Sequence, residues 1–414
     1  MQEPVEKFFL GRQPILDRNQ EIVGYELLFR AADVDHAVIE SYSHASASVI
    51  ANALSSFGIH EVLGGKFGFI NVHLKVLLSE MLELLPVGQT VLELLEMIKL
   101  DEQVVERCRE LKDMGFLLAL DDHEFDPYNT AIYGVVDIIK IDILLTGMDA
   151  LPDIARHLRN YPVKLLAEKV ETVEQFQICY DLGFEFFQGY FFARPVVLKR
   201  KKIDVSSLAM LKLLQQLATD APVGEIEQTF KENPALSYNL LRLVNSVAMG
   251  MREKIKTLRH AIIMLGVNHL RRWIQLSLFA GHDSRSLNHP LLELAAVRGR
   301  LMEILVRKLS RAAVVDERAE AAFMVGILSL LDVLFETPME EIISNLNLND
   351  DVTSALLQRS GPLGSLLDLA EKLEVTDFDA VTVLLNECGV SLDQLLTAQL
   401  EAFNWRSSIM YSED

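Results

Sequence analysis

A series of short apolar runs, each carrying a carboxylate, amide or amine at or near its end, constrains the fold of this chain more than any other feature. The runs are Phe9–Leu16, Ile22–Phe29, Phe67–Val72, Val91–Leu95, Leu117–Leu120, Ile138–Leu144, Lys164–Ala167 and Phe186–Phe192. Near-continuous apolar segments of this length, bounded by polar residues, fit strands covered on both faces. The segments between them read as helices. In Asp101–Gly115 the residues Val104, Cys108 and Leu111 recur at helical spacing, and Gly115 stands where a C-terminal cap belongs. A second helix opens at Thr172 with Gln175 three residues on, the capping-box pattern; Phe176, Cys179 and Leu182 line one face and Gly183 ends it. Strands interleaved with helices predict an α/β TIM-like (β/α)8 barrel over residues 1–197.

Beyond it the strand pattern stops. The basic run Lys199-Arg200-Lys201-Lys202 marks a linker over 198–206, and residues 207–414 read as an all-α domain. Asn233 is placed as an N-cap with Pro234 at the first helical position, followed by an apolar stripe of Leu240, Leu243, Val244 and Val247. The three cysteines are widely spread with no C-x-x-C pair, which excludes a disulfide scaffold; Cys108 and Cys179 read as small core residues. The apolar run from Phe323 to Leu331 meets Asp332 far short of the roughly 20 residues that cross a bilayer. The first residues carry acids and no apolar core of a secretory signal. A net charge of −20 disfavours nucleic acid as a partner. These features describe a cytoplasmic, acidic, multidomain chain with no membrane span.

Chemistry enters through the polar residues of the strands. Glu26, Asn71, Glu93, Asp121, Asp122, Lys140, Asp142, Glu168 and Gln188 lie late in, or just after, successive runs, where barrels of this type place reacting groups. Converging acids repel one another unless cations neutralise them. Ligands that are all oxygen suit magnesium or manganese better than zinc. Two such ions about 3.5–4 Å apart form a phosphodiesterase arrangement, in which Lys140 would orient the attacking water or hold a phosphate oxygen. The alternative reading has the acids capping helices or pairing with Arg and Lys.

Taken in order, these motifs resemble the EAL family, the cyclic di-GMP phosphodiesterase domain, over about residues 8–196. Gln13-Pro14-Ile15 is similar to its Q-P-I strand, and Glu26-Leu27-Leu28-Phe29-Arg30 to the naming E-A-L-x-R motif with Leu27 in place of Ala. Asn71, Glu93 with Glu96, Asp121-Asp122, Lys140-Ile141-Asp142, Ala167-Glu168-Lys169-Val170-Glu171 and Gln188-Gly189-Tyr190 follow, with Lys169 where the family has glycine. The resemblance implies cyclic di-GMP as ligand and Mg2+ or Mn2+ as cofactor. Glu26, Asn71, Glu93 and Asp121 would hold the first metal. Asp121, Asp122 and Glu168 would serve the second metal and its water, which Lys140 helps activate. Gln13, Arg30 and Gln188 would contact the nucleotide, and Glu96 would anchor the loop after the acid pair.

That loop departs from the family. Where F-G-T-G-Y-S-S is usual, this chain reads His123-Glu124-Phe125-Asp126-Pro127-Tyr128-Asn129. Two glycines are lost and a proline is gained, so the loop cannot keep its usual backbone. His123, Glu124 and Asp126 are weighed as replacement ligands against a solvated loop, and the solvated loop is preferred. The resemblance therefore leaves two outcomes open: an enzyme that makes pGpG, or a receptor or scaffold whose turnover is vestigial.

Asn233-Pro234-Ala235-Leu236-Ser237 to Asn245-Ser246-Val247-Ala248, and Ala261-Ile262-Ile263-Met264-Leu265-Gly266, resemble HDOD domains, helical relatives of HD phosphohydrolases that generally lack their metal ligands. Ser329 and Leu330 stand where an HD enzyme needs His and Asp, and His282-Asp283 falls in a loop reading. The basic cluster Arg252, Lys254, Lys256, Arg259, Arg271 and Arg272 is preferred as a solvated face, with Trp273 a packing residue. The resemblance implies a regulatory module that binds a protein partner. A homodimer through the barrel is compatible with it.

Overall fold

In the computed structural model the eight strands close into a barrel in sequence order. They are β1 (Phe8–Leu16), β2 (Ile22–Ala31), β3 (Phe67–Val72), β4 (Thr90–Leu94), β5 (Leu117–Leu120), β6 (Ile138–Asp142), β7 (Lys164–Glu168) and β8 (Phe186–Gln188). The structure describes residues 8–31, 62–123, 130–193, 205–244, 257–280, 290–309, 315–344, 346 and 348–410. The basic linker run and His282-Asp283 lie outside them. From β2 to β8 every neighbour is parallel. β1 alone runs antiparallel to both of its neighbours, β2 and β8.

Two expected strands end early for local reasons. Ile138–Leu144 stops at Asp142, whose carboxylate accepts hydrogen bonds from the amides of Leu144 and Leu145 (2.8 and 3.0 Å) and so opens a short helix, Ile143–Thr146. Phe186–Phe192 stops at Gln188 because Gly189 follows with φ 146°. A side chain there would collide with the backbone: an added Cβ would stand 2.1 Å from the oxygen and 2.5 Å from the nitrogen of Val170. The same approach lets the Val170 amide bond the Gln188 carbonyl at 3.0 Å. Gly189→Ala is expected to destabilise the barrel by roughly 3–4 kcal/mol, measured as a shift in the urea midpoint at unchanged slope.

The helices follow their caps. α1 (Glu102–Asp113) is capped by the Asp101 carboxylate, and Gly115 (φ 99°) follows its end. α2 (Val173–Asp181) carries the reciprocal Thr172–Gln175 box. Cys108 and Cys179 are fully buried in these helices, and burial pushes their thiols up to about 12 and about 11, so neither is reactive.

The chain divides into two compact units. The first comprises residues up to Arg194 together with Glu371–Asn386 and Val390–Asn404; the second comprises Pro195–Ala370, Glu387–Gly389 and Trp405–Asp414. In the second unit α3 (Val267–Ala280), α4 (Pro290–Leu309) and α5 (Val315–Leu328) pack together. α4 and α5 meet through Gly299 and Gly326, where a Cβ on Gly326 would lie 2.6 Å from the Gly299 Cα. α6 (Gly361–Glu374), α7 (Phe378–Cys388) and α8 (Leu392–Met410) complete the chain.

Two C-terminal segments, Glu371–Asn386 and Val390–Asn404, cluster with the barrel, where the sequence reads 207–414 as one helical domain. β1 explains why. It pairs with β2 along its whole length but with β8 only at Ile15 and Leu16, which leaves an edge of backbone groups to be satisfied elsewhere. Gln399 of α8 donates to the Leu10 carbonyl at 3.1 Å. Phe378 of α7 stacks on Phe9 (5.4 Å), and the Arg12 guanidinium lies between the rings of Tyr25 and Phe403 (4.0 and 3.8 Å).

Within the second unit the solvated-face reading fails for Arg272. It pairs with Glu303 (2.6 Å) and Glu320 (2.8 Å), while Arg271 donates to the Leu217 carbonyl. Glu303 is buried, which alone would raise its carboxyl, but hydrogen bonds from Arg272 and Arg300 hold it below the ordinary range. Trp273 stacks near Phe230 (6.3 Å), a packing role as expected. At Ser329 the hydroxyl accepts from the buried Arg298 at 2.7 Å and donates to the Gly326 carbonyl at 2.7 Å. Asn233 precedes α-helical Pro234 as expected, but its side-chain amide donates back to the Thr229 carbonyl (2.8 Å). Among the described residues no helix is long and apolar enough to cross a membrane.

Candidate active site

The barrel interior is built in layers two residues apart. Ile15, Phe69, Val91, Ala119, Ile138 and Leu166 form one buried apolar cluster. Because strand side chains alternate, residues two places further along the parallel strands share the same inward face. Those residues are Asn71, Glu93, Asp121, Lys140 and Glu168, and the same step from Gly24 and Phe186 reaches Glu26 and Gln188. On antiparallel β1 the step reverses, and two places before Ile15 stands Gln13, which pairs in register with Glu26. A polar layer thus sits directly on an apolar one, at the C-terminal ends of the parallel strands. Gly24 keeps the lower layer open: a Cβ there would be 2.9 Å from the Phe69 ring.

Lys140 occupies the centre of this layer, with no exposed surface. Its Nζ lies 2.6 Å from Asp121 Oδ1, 2.7 Å from Glu93 Oε1, 2.9 Å from Glu168 Oε1 and 3.6 Å from Glu26 Oε2. Glu26 also accepts from Asn71 Nδ2 (2.9 Å) and from Gln188 Nε2 (2.5 Å), and that same amide donates to Gln13 Oε1 (2.9 Å).

The electrostatics follow from burial. For Lys140, burial disfavours the ammonium, but Glu26, Glu93, Glu168 and Asp121 together raise it well above the ordinary lysine range. Burial also works against Glu26; Lys140, Gln188 and Asn71 outweigh it and hold that carboxyl low. For the other three acids burial wins over the attraction of Lys140. Glu93 is raised well above its usual range, Asp121 is raised, and Glu168 is pushed up to about 8. One ammonium is therefore too little positive charge for this layer.

Several oxygens of the layer are also without donors. Asn71 Oδ1, Glu93 Oε2 and Glu168 Oε2 are buried and accept no hydrogen bond. A layer of oxygen atoms carrying excess negative charge fits a hard divalent cation. The fit is not ready-made: among the described residues, no three His, Cys, Asp or Glu side chains stand grouped around a cation position, since Lys140 takes the centre.

The remaining predicted residues fall outside the Lys140 cluster. Asp122 follows Asp121 with φ 43°, a left-handed conformation, and is not among the carboxylates paired to Lys140. Asp142 caps its short helix and pairs with Lys169. Lys169 itself has φ 56°, which accounts for a glycine preference at this position and for the cost of a lysine there. Arg30 pairs with Asp379 at 2.6 Å. Glu96 is exposed in the turn after β4, and most of the loop it was to anchor, including Glu124 and Asp126, lies outside the described residues. His123 Nε2 lies 2.7 Å from the Tyr133 hydroxyl. Sequence reasoning missed Glu374, Thr376 and Asp379, which touch Tyr190, Gln13 and Arg30.

Comparison with known proteins bears on the same residues. The EAL domain model matches residues 71–195 and the HDOD domain model residues 206–346. The uncharacterized protein YuxH of Bacillus subtilis is 30% identical, covering 98% of this chain and 99% of its own. The cyclic di-GMP phosphodiesterase CdgJ of Vibrio cholerae is 32% identical over 97% of this chain and 93% of its own. The solved structure of the Bacillus subtilis YkuI protein, with an EAL domain, in complex with c-di-GMP and calcium, is 23% identical, with a TM-score of 0.38 over 44% of this chain and 54% of that one. Similar to YuxH and CdgJ along almost its whole length, the chain belongs to the family that joins an EAL domain to an HDOD domain.

Proposed function

We propose that the barrel binds cyclic di-GMP at the polar layer and hydrolyses it to pGpG in an intracellular signalling pathway, with the helical unit as the module that engages a protein partner. The observation that carries this reading is the charge of the layer: Glu26, Glu93, Asp121 and Glu168 share the single Lys140 ammonium. The similarity to CdgJ over nearly the full chain supports it. Glu26, Asn71, Glu93 and Asp121 would hold one cation and Asp121, Asp122 and Glu168 a second, with Mg2+ or Mn2+ suited to oxygen ligands. When bound, such cations polarise a phosphodiester and supply a hydroxide-like water near neutral pH. Lys140 would orient that water or hold a phosphate oxygen. Arg30 grips a phosphate with two parallel bonds, as guanidinium geometry allows, while Gln13 and Gln188 contact the nucleotide.

One observation favours a second reading, a receptor that binds without cleaving. Asp122, with its left-handed backbone, is not paired to Lys140, so it is the second cation's ligand least tied to the acid layer. Metal addition tests the shared core of both readings. Mn2+ at about 100 times its dissociation constant is expected to raise the unfolding midpoint of the barrel by roughly 5–10 °C, and Glu93→Gln should abolish most of that shift. A midpoint indifferent to Mn2+ would rule out cation binding at this layer.

A further inference from the structure

The turn joining α6 to α7 rests on three side chains around the mouth of the polar layer. Thr376 Oγ1 accepts from Gln13 Nε2 at 3.4 Å, Asp379 Oδ1 pairs with Arg30 Nη2 at 2.6 Å, and Glu374 Oε2 accepts from the Tyr190 hydroxyl at 3.0 Å. All of these residues belong to the barrel unit. The contact runs on into the acid layer, because Gln13 accepts from the same Gln188 amide that donates to Glu26. The seat is specific. Gly11 leaves room for the turn, and a Cβ there would be 2.7 Å from Thr376 Cγ2. Thr376 itself has φ 58°, a conformation that β-branched residues avoid and hold only when their surroundings impose it.

The turn is acidic, with Glu374, Asp377 and Asp379 within six residues. A guanidinium fork accepts a carboxylate and a phosphate with the same geometry. Resting on the function proposed above, in which Arg30 grips a phosphate, we infer that the Glu374–Asp379 turn is a built-in competitor for the anionic dinucleotide. In the free protein Asp379 holds Arg30 and Thr376 holds Gln13, with Glu374 steadying the turn on Tyr190, and the first two contacts must let go when ligand binds. The Arg30–Asp379 pair is partly exposed, at 31% and 66% of the two side chains, so it is weak enough to be displaced. By linkage, the seated turn weakens ligand binding by the same factor by which bound ligand weakens the seating of the turn.

The test uses the full chain and cyclic di-GMP in calcium. Binding is measured by calorimetry for the unmodified protein and for the double variant Asp379→Asn/Glu374→Gln, with amide hydrogen exchange of residues 374–379 followed with and without nucleotide. The variant is expected to bind about three- to tenfold more tightly, and nucleotide should speed exchange at the turn in the unmodified chain. Equal or weaker binding by the variant, with exchange unchanged, would overturn the competitor and leave cyclic di-GMP binding standing. No binding by either protein would overturn both.

Discussion

Glu26→Ala and Glu93→Ala are each expected to remove the proposed cyclic di-GMP hydrolysis, lowering kcat by at least about 10³-fold, read as pGpG formed in Mn2+ on an anion-exchange column. The two carboxylates stand on neighbouring sides of Lys140 but in different states. Glu26 is held low by Lys140 and by amide donors from Gln188 and Asn71. Glu93 is fully buried and raised well above its usual range, with one oxygen accepting nothing. A buried acid in that condition works against folding of the metal-free chain. Glu93→Gln, which keeps the volume, should therefore lose turnover while the metal-free protein unfolds at the same urea concentration or higher. Activity lost together with stability would point to an ordinary packing role.

Lys140→Met should have the largest effect on stability. It removes the one ammonium shared by Glu26, Glu93, Asp121 and Glu168, and leaving buried charge unpaired costs about 3–5 kcal/mol. The cost depends on pH, with a sign set by raised carboxyls. Glu168 is already pushed up from 4.5 to about 8 with the lysine present, and removing Lys140 raises it further. A carboxyl raised on folding favours the folded state fully below its unfolded value of 4.5, and that contribution is lost as pH rises through its folded value. The variant should therefore be nearly as stable as the parent at pH 4–5 and fall progressively behind toward pH 8. Adding Mn2+ at neutral pH should recover part of the loss. A pH-independent deficit would mean that shape, and not charge, is what Lys140 contributes.

The barrel was legible because its strands are apolar on both faces, and β3 and β5 begin and end where their apolar runs do. The acid layer was legible for a related reason. A carboxylate inside such a run, as at Glu93, has to face the barrel axis, and a step of two residues fixes its depth. What pattern reading could not show is which acids find local work. Asp142 looks like Glu93 in sequence, yet it caps the helix that follows it and pairs with Lys169. The backbone of Asp122 is likewise set by a loop and not by a strand. Least legible was the membership of α7 and the first part of α8 in the barrel unit. Their helical periodicity says only that one face is buried. The unpaired stretch of β1 that receives them lies 363 residues away from Thr376, at Gln13, and no local signal spans that distance.

The most direct measurement is product formation by the purified protein with cyclic di-GMP, in magnesium and then in manganese, beside nucleotide binding in calcium. Linear pGpG should accumulate with either metal, vanish on chelation and be absent in Glu26→Ala. Neither pGpG nor any bound nucleotide under these conditions would contradict the assignment of the polar layer to cyclic di-GMP.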